Sequence, residues 1–204
     1  MIRQLCHIPV GADLAFSGGV DSVAAASFLH RKIGKLLYFH HQTPHSEKAL
    51  SFCADFAKSY GKPLVVEYLS GEKPANESQE EFWRKQRYAF LRRNSSIVVT
   101  AHHLDDAVET WLFSAIHGTP KLIPVSNEGV LRPFLSTPKS VLVDWCQRRG
   151  LQWCEDDSNL DVRYMRNLIR ARIVPEALRV NPGLRTVIRK KYEHDLTKPL
   201  TWLR

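Results

Sequence analysis

Short runs that are apolar on both faces alternate along this chain with longer stretches whose apolar positions recur every three or four residues. Leu14-Ala15-Phe16, Lys35 to His40 with Leu36-Leu37-Tyr38-Phe39 inside it, Leu64 to Leu69, and Ile97-Val98-Val99-Thr100 have the length and composition of buried strands. The Ala-rich stretch from Val20 to Leu29 reads as a helix. So does Glu47 to Tyr60, where Ala49, Leu50, Phe52, Cys53, Phe56, Ala57 and Tyr60 share one face; Gly61 ends it and Pro63 blocks a restart. Ser70 to Ser78 is polar and predicts an exposed loop. Glu80 to Arg93 is a long charged helix, and Asp105 to Ile116 another. Strands alternating with helices predict an α/β fold with a doubly wound parallel sheet. In such folds ligands sit beyond the carboxyl ends of the strands, where Ser17, His40 and Thr100 fall.

The rhythm stops at His117. Gly118, Pro120, Pro124, Gly129 and Pro133 mark an irregular crossing of the surface. Ser136-Thr137-Pro138 reads as a cap followed by proline in the first helical position, opening a helix that turns Val141, Leu142, Trp145 and Cys146 inward and ends at Gly150. Glu155 to Asn159 predicts an acidic turn, and about Arg163 to Leu178 a basic helix that Pro182-Gly183 breaks. The expected division is an α/β domain over residues 1–135 and a small, helical, basic C-terminal extension over 136–204.

Charge sharpens that division. Residues 1–162 carry 18 Lys/Arg against 18 Asp/Glu, whereas residues 163–204 carry 11 against 3, the whole of the net +8. A neutral body with a basic tail suits a polyanion such as nucleic acid, although a solvated basic helix has the same composition. Cys6, Cys53, Cys146 and Cys154 form no Cys-x-x-Cys pair, which argues against a zinc ribbon or redox dithiol and for thiols in a reducing cytoplasm. His7 and Pro9 interrupt any signal-peptide core, and no run reaches membrane-spanning length, so a cytoplasmic location is expected.

Two stretches carry candidate chemistry. Ser17-Gly18-Gly19-Val20-Asp21-Ser22 joins the first strand to the first helix. Its glycines let backbone amides approach a ligand, the helix N-terminus favours an anion, and Ser17 and Ser22 add hydroxyls. It is not a Walker A loop, lacking Gly-Lys-Ser/Thr. Asp21 would repel a phosphate unless it caps the helix or holds a metal ion. Thr100 to Thr110 leaves a strand for a helix and places Asp106 and Glu109 on one helical face, next to His102 and His103. Such carboxylates can bind Mg²⁺ beside a phosphate, orient an ammonium, or merely satisfy the helix N-terminus. Glu80, Arg84, Arg87 and Tyr88 recur as one helical stripe, which is either a binding face or a salt-bridged surface.

Taken together these runs resemble the tRNA(Ile)-lysidine synthetase (TilS) family of the N-type ATP pyrophosphatase, or PP-loop, superfamily. The resemblance rests on Ser17–Ser22, on Glu80, Arg84, Arg87 and Tyr88, on Thr100–Thr110, on Arg132-Pro133, and on Glu155–Asn159 with Tyr164–Arg170. It implies the adenine nucleotide alpha hydrolase-like fold, in a compact form without the large C-terminal domains of many relatives. It also implies an ATP-dependent carbon–nitrogen ligase. ATP adenylates C2 of the wobble cytidine of a CAU anticodon, and the ε-amine of free L-lysine displaces AMP to give lysidine. Carried onto this chain, Ser17, Gly18, Gly19, Val20, Asp21, Ser22, His102 and His103 would bind ATP. Asp21, Asp106 and Glu109 would be catalytic, with Asp21 and Asp106 on Mg²⁺. Glu80, Arg84, Arg87, Arg132, Asn159, Arg166, Asn167 and Arg170 would bind tRNA or lysine.

The sequence also departs from that family. Its usual His-Gly-Leu-Arg is His41-Gln42-Thr43-Pro44 here, and its Arg-Gly after the second acidic helix is His117-Gly118. A tRNA 2-thiolation enzyme of the same superfamily is an alternative, lacking here its usual Cys-x-x-Cys pair. A non-catalytic RNA-binding protein on this fold and a small-molecule amidating synthetase are others.

Overall fold

The structure, a computed structural model, describes residues 1–155 and 165–197, with side chains as far as His194. The elements run β1 (Ala12–Ala15), α1 (Val20–Phe28), β2 (Ile33–His40), α2 (Pro44–Ser59), β3 (Leu64–Tyr68), α3 (Gln79–Asn94), β4 (Val98–Val99) and α4 (Leu104–Ile116). Then follow β5 (Ser126–Asn127), β6 (Val130–Leu131), α5 (Lys139–Arg148), α6 (Met165–Leu168), a π-helical turn (Ile169–Ile173), α7 (Val174–Val180) and α8 (Leu184–Thr197).

One sheet of order β3-β2-β1-β4-β6-β5 organises the chain. Every neighbouring pair is parallel except β5 with β6. Strand β1 is central, with Leu14 paired to Leu36 of β2 on one side and Val99 of β4 on the other. The winding reverses between β1 and β4, so a crevice opens past their carboxyl ends, where such folds bind ligands. Strand and helix apolar faces meet in a core that includes Leu14, Val23, Ala24, Leu36 and Cys53.

Segments beyond residue 135 are fastened to this body. Leu142 and Cys146 of α5 belong to the same core as α1, and Trp145 meets Phe28 edge-on at 5.1 Å while donating from Nε1 to Ser27 Oγ at 3.3 Å. Leu184, Ile188 and Tyr192 of α8 bury a one-sided stripe against Leu104, Ala107 and Val108 of α4. Tyr192 donates its hydroxyl to Ile123 O at 3.0 Å. Among the described residues no helix is long and apolar enough to cross a membrane.

The structure corrects the sequence expectations in four places. Helix α2 begins at Pro44, not Glu47, because Thr43 caps it through Ser46 N and proline sits at the first helical position. The same signature misleads at Pro138, which occupies the cap position while α5 starts at Lys139. The crossing segment contains β5 and β6, which extend the sheet around a turn at Glu128-Gly129. Gly129 has φ +77°, and a Cβ there would lie 2.5 Å from Ser96 O. The basic helix is three pieces, α6, the π-helical turn and α7. Most of the acidic turn, with Asn159 and Tyr164, lies outside the described residues.

Candidate functional site

The loop between β1 and α1 is shaped by its glycines and by its own hydroxyls. Gly18 takes φ +78°, and a Cβ at that position would lie 3.1 Å from both Cys53 Sγ and Phe52 Cδ1, so conformation and packing both require glycine. Its carbonyl accepts from Cys154 N at 2.9 Å, which pins the chain after α5 against the loop. Ser22 Oγ donates to Gly19 O at 2.9 Å and accepts from Ser17 N at 3.3 Å, while Ser17 Oγ accepts from Gly19 N at 3.4 Å. The hydroxyls expected to reach a ligand therefore also shape the loop. Gly19 stands at the cap of α1 without any side-chain cap bond, so the first-turn amides there have no side chain competing for them.

A cavity of about 800 Å³ opens over this loop, and Ser17, Gly19, Val20, Asp21 and Ser22 form one wall. Thr100, His102, His103 and Asp106 form the facing wall. The two informative stretches of the sequence thus meet across one space.

The facing wall is held by a reciprocal cap. His103 Nδ1 accepts from Asp106 N at 3.3 Å, and His103 N donates to Asp106 Oδ2 at 2.9 Å. That leaves the proton on Nε2, which faces Asp21 Oδ2 at 3.5 Å. Burial disfavours the charged His103 ring, but Asp106, Asp21 and Asp105 outweigh burial and raise its pKa. Burial likewise works to raise Asp21, yet the His103 hydrogen bond and the charges of His103, Lys139 and Arg170 bring it below its ordinary value. His102 points elsewhere, with Nδ1 2.8 Å from Thr100 Oγ1. Burial, reinforced by Arg87, Arg132 and Arg84 against the opposing pull of Asp106, lowers it to about 4, so it is neutral near pH 7.

Glu109 is not on the cavity wall. It is 2% exposed and accepts from Arg166 NH1 at 2.8 Å and from Arg170 Nε and NH2 at 3.0 and 2.8 Å. Arg170, which lines the cavity, also approaches Asp106 Oδ1 at 3.5 Å. Arg166 and Arg170 stand four residues apart along one helical run and so converge on one carboxylate. Asn167 lies between them in sequence, on α6.

The predicted stripe on α3 splits in the same way. Arg87 and Tyr88 line the cavity, whereas Glu80 and Arg84 do not. The guanidiniums of Arg84, Arg87 and Arg92 lie 4.9, 5.8 and 5.7 Å from the Tyr88 ring centre. Arg132 is 3% exposed and donates to Pro124 O at 3.0 Å and Tyr88 OH at 3.2 Å. Among the described residues it has no carboxylate partner. Burial opposes ionisation of Tyr88, but the Arg132 hydrogen bond and the surrounding guanidiniums bring its pKa below the ordinary value.

Sequence reasoning did not find Lys139 and Arg185. Lys139, at the start of α5, lines the cavity with Nζ 3.8 Å from Asp21 Oδ2. Arg185, on α8, donates from Nε to Asp105 Oδ1 at 2.8 Å. The one local signal was the cap-and-proline run before Lys139, which marks a helix start but says nothing of what that start faces.

Known proteins resemble this chain in sequence and in fold. A tRNA(Ile)-lysidine synthase of Chromobacterium violaceum is 34% identical over 192 residues, covering 85% of this chain and 44% of that relative. One from Methylococcus capsulatus is 34% identical over 181 residues, covering 80% of this chain and 41% of its own length. The chain therefore spans less than half the length of these curated relatives. Among solved structures, the U34-tRNA thiolase NcsA of Methanococcus maripaludis with its 4Fe-4S cluster superposes with a TM-score of 0.72, 16% identity, and coverage of 96% of this chain and 76% of that one. That likeness is one of fold. A PP-loop domain model matches residues 10–177, and on that match the chain belongs to the PP-loop domain family.

Proposed function

We propose that this chain catalyses lysidine formation: ATP adenylates the C2 oxygen of the wobble cytidine in the CAU anticodon of a tRNA(Ile), and the ε-amine of L-lysine then displaces AMP. The observation that carries the proposal is the meeting, across one cavity, of the Ser17–Ser22 loop with the His103–Asp106 wall, in a chain whose curated relatives bear that name. The loop amides and the N-terminus of α1 would take the phosphates. Pyrophosphate would leave as the cytidine oxygen attacks the α-phosphorus, and the donors around the loop would stabilise the charge that develops.

Asp21, Asp106 and Glu155 are the carboxylates that line the cavity, and we assign to Asp21 and Asp106 the lysine ammonium and its proton. Glu109 then serves by fixing Arg166 and Arg170. Mg²⁺ fits this site in a limited way. Asp21 Oδ1 is buried without a hydrogen-bond partner, while its Oδ2 is shared by His103 and Lys139. Asp106 is engaged by the His103 cap and by Arg170. Asp21 Oδ1 is thus the most available protein ligand, with Asp106 the second candidate, and an ion there would draw its other ligands from phosphate and water. Bound Mg²⁺ would neutralise phosphate charge.

Residues 1–135 would supply most of the nucleotide site. The basic stretch 136–204 would supply tRNA contacts through Arg166 and Arg170, joined by Arg87 from α3, with Glu80, Arg84, Asn159 and Asn167 as further candidates, whereas buried Arg132 would act by holding Tyr88. The setting would be cytoplasmic. Incubation with ATP, Mg²⁺, L-lysine and an unmodified CAU-anticodon tRNA(Ile), followed by mass spectrometry of the digested nucleosides, tests this directly. Lysidine that requires both ATP and lysine is the expected result. Its absence, with ATP still bound, would return the chain to the class of RNA-binding proteins.

A further inference from the structure

We infer that Lys139 is a phosphate-binding residue of this site, supplying from α5 the mobile cation that the Ser17–Ser22 loop lacks. The inference rests on the ATP reading above and adds a residue to it. The loop offers amides and two hydroxyls, contains no Lys or Arg, and presents a carboxylate, Asp21, at its mouth. A triphosphate entering there meets one negative group before it meets any positive side chain of the loop itself. Lys139 lines the same cavity, its side chain is 47% exposed, and its ammonium rests 3.8 Å from Asp21 Oδ2.

Its position is set by two independent anchors. Lys139 N donates to Asp105 Oδ2 at 2.8 Å, which ties the start of α5 to the start of α4. The body of α5 packs on α1 through Trp145 and Cys146, with Cys146 Sγ 3.7 Å from Val20 O. The start of α1 has no side-chain cap bond, that of α5 is held by Asp105 and that of α4 by the His103–Asp106 cap; all three reach one region, and Lys139 is the flexible cation among them. At 3.8 Å the contact with Asp21 is loose, and neither group is sealed from water. When a triphosphate docks, the ammonium passes from Asp21 to an oxygen of the β- or γ-phosphate. The bond between the α-phosphorus and the bridging oxygen then breaks as the cytidine oxygen bonds to phosphorus. Its electron pair leaves with pyrophosphate, where Lys139 compensates the new charge. Asp21, released from Lys139, becomes available to a second cation.

Calorimetric titration of the full chain with ATP, pyrophosphate and AMP tests the assignment. Lys139→Met should weaken ATP and pyrophosphate by about 10- to 100-fold and leave AMP within about twofold, because the ammonium meets only the leaving phosphates. Lys139→Arg should recover part of the loss. Lys58→Met, an exposed change at the far end of α2, controls for net charge and should leave all three affinities alone. An unchanged ATP affinity in a Lys139→Met protein of normal thermal stability would overturn the inference while leaving the ATP site standing, as would an equal loss for AMP. A wild-type chain that binds none of the three would overturn the ATP reading itself.

Discussion

Replacing Glu109 by glutamine asks whether that carboxylate holds the C-terminal arginines in place. Glu109 is 2% exposed and takes three charge-assisted hydrogen bonds of 2.8–3.0 Å from Arg166 and Arg170. Glutamine keeps the shape, loses the charge, and turns an amide N–H₂ toward one guanidinium. Breaking a buried pair costs about 3–5 kcal/mol, because the remaining charge stays desolvated. Here the arginine side chains are 41% and 46% exposed and can return to water, which lowers the expected cost to about 2–3 kcal/mol. For a chain of this size that is a fall in Tm of roughly 4–12 °C. Urea unfolding of wild type, Glu109→Gln, Arg170→Met and the double variant gives the coupling directly. Arg170→Met should cost at least about 1 kcal/mol less in the glutamine background than in wild type. A Glu109→Gln protein within about 0.5 kcal/mol of wild type, with additive effects, would refute the anchoring role. If it also lost lysidine synthesis, Glu109 would be returned to the chemistry.

Other perturbations separate chemistry from framework. Asp106→Asn keeps an oxygen for His103 N, so Tm should fall by only a few degrees while lysidine formation, followed by nucleoside mass spectrometry, drops to background. Near-normal turnover would remove the carboxylate from the mechanism. Gly129→Ala combines a left-handed φ of +77° with a Cβ 2.5 Å from Ser96 O, and should destabilise by about 2–4 kcal/mol in urea titrations through the β4–β6 pairing, without touching the cavity. His102 is brought from the ordinary 6.5 to about 4 in the folded chain, so the unfolded chain takes up that proton first on acidification. The stability it contributes is fully present above pH 6.5 and is lost as pH falls toward 4. His102→Gln should therefore flatten the pH dependence of unfolding free energy in that window, and an unchanged slope would contradict the shift.

The sheet and both walls of the site were legible because each rests on local pattern. Leu36-Leu37-Tyr38-Phe39 reads as a buried strand from its shortness and its apolar, aromatic make-up, and the Gly-Gly pair signals the tight turn in which Gly18 takes φ +78° with Cys53 and Phe52 pressed against it. Helix α8 had a readable stripe in Leu184, Ile188 and Tyr192, obscured by its high charge. Strands β5 and β6 had no period to read: each is two residues long, and their order comes from β4 across the sheet. Thr43-Pro44 and Thr137-Pro138 are the same dipeptide with different outcomes, since proline enters the helix only at the first. The roles of Lys139, Arg185 and Glu109 were hidden for another reason. Their partners lie 118, 80 and 57–61 positions away, so only the folded chain brings the charges together.

The most direct measurement is a crystal structure with a non-hydrolysable ATP analogue and Mg²⁺. The triphosphate should lie over Ser17–Ser22, with a phosphate oxygen at hydrogen-bond distance from the α1 amides and the Asp106 carboxylate across the same cavity. A nucleotide bound elsewhere, or a loop and acidic wall that turn away from each other around it, would contradict the account.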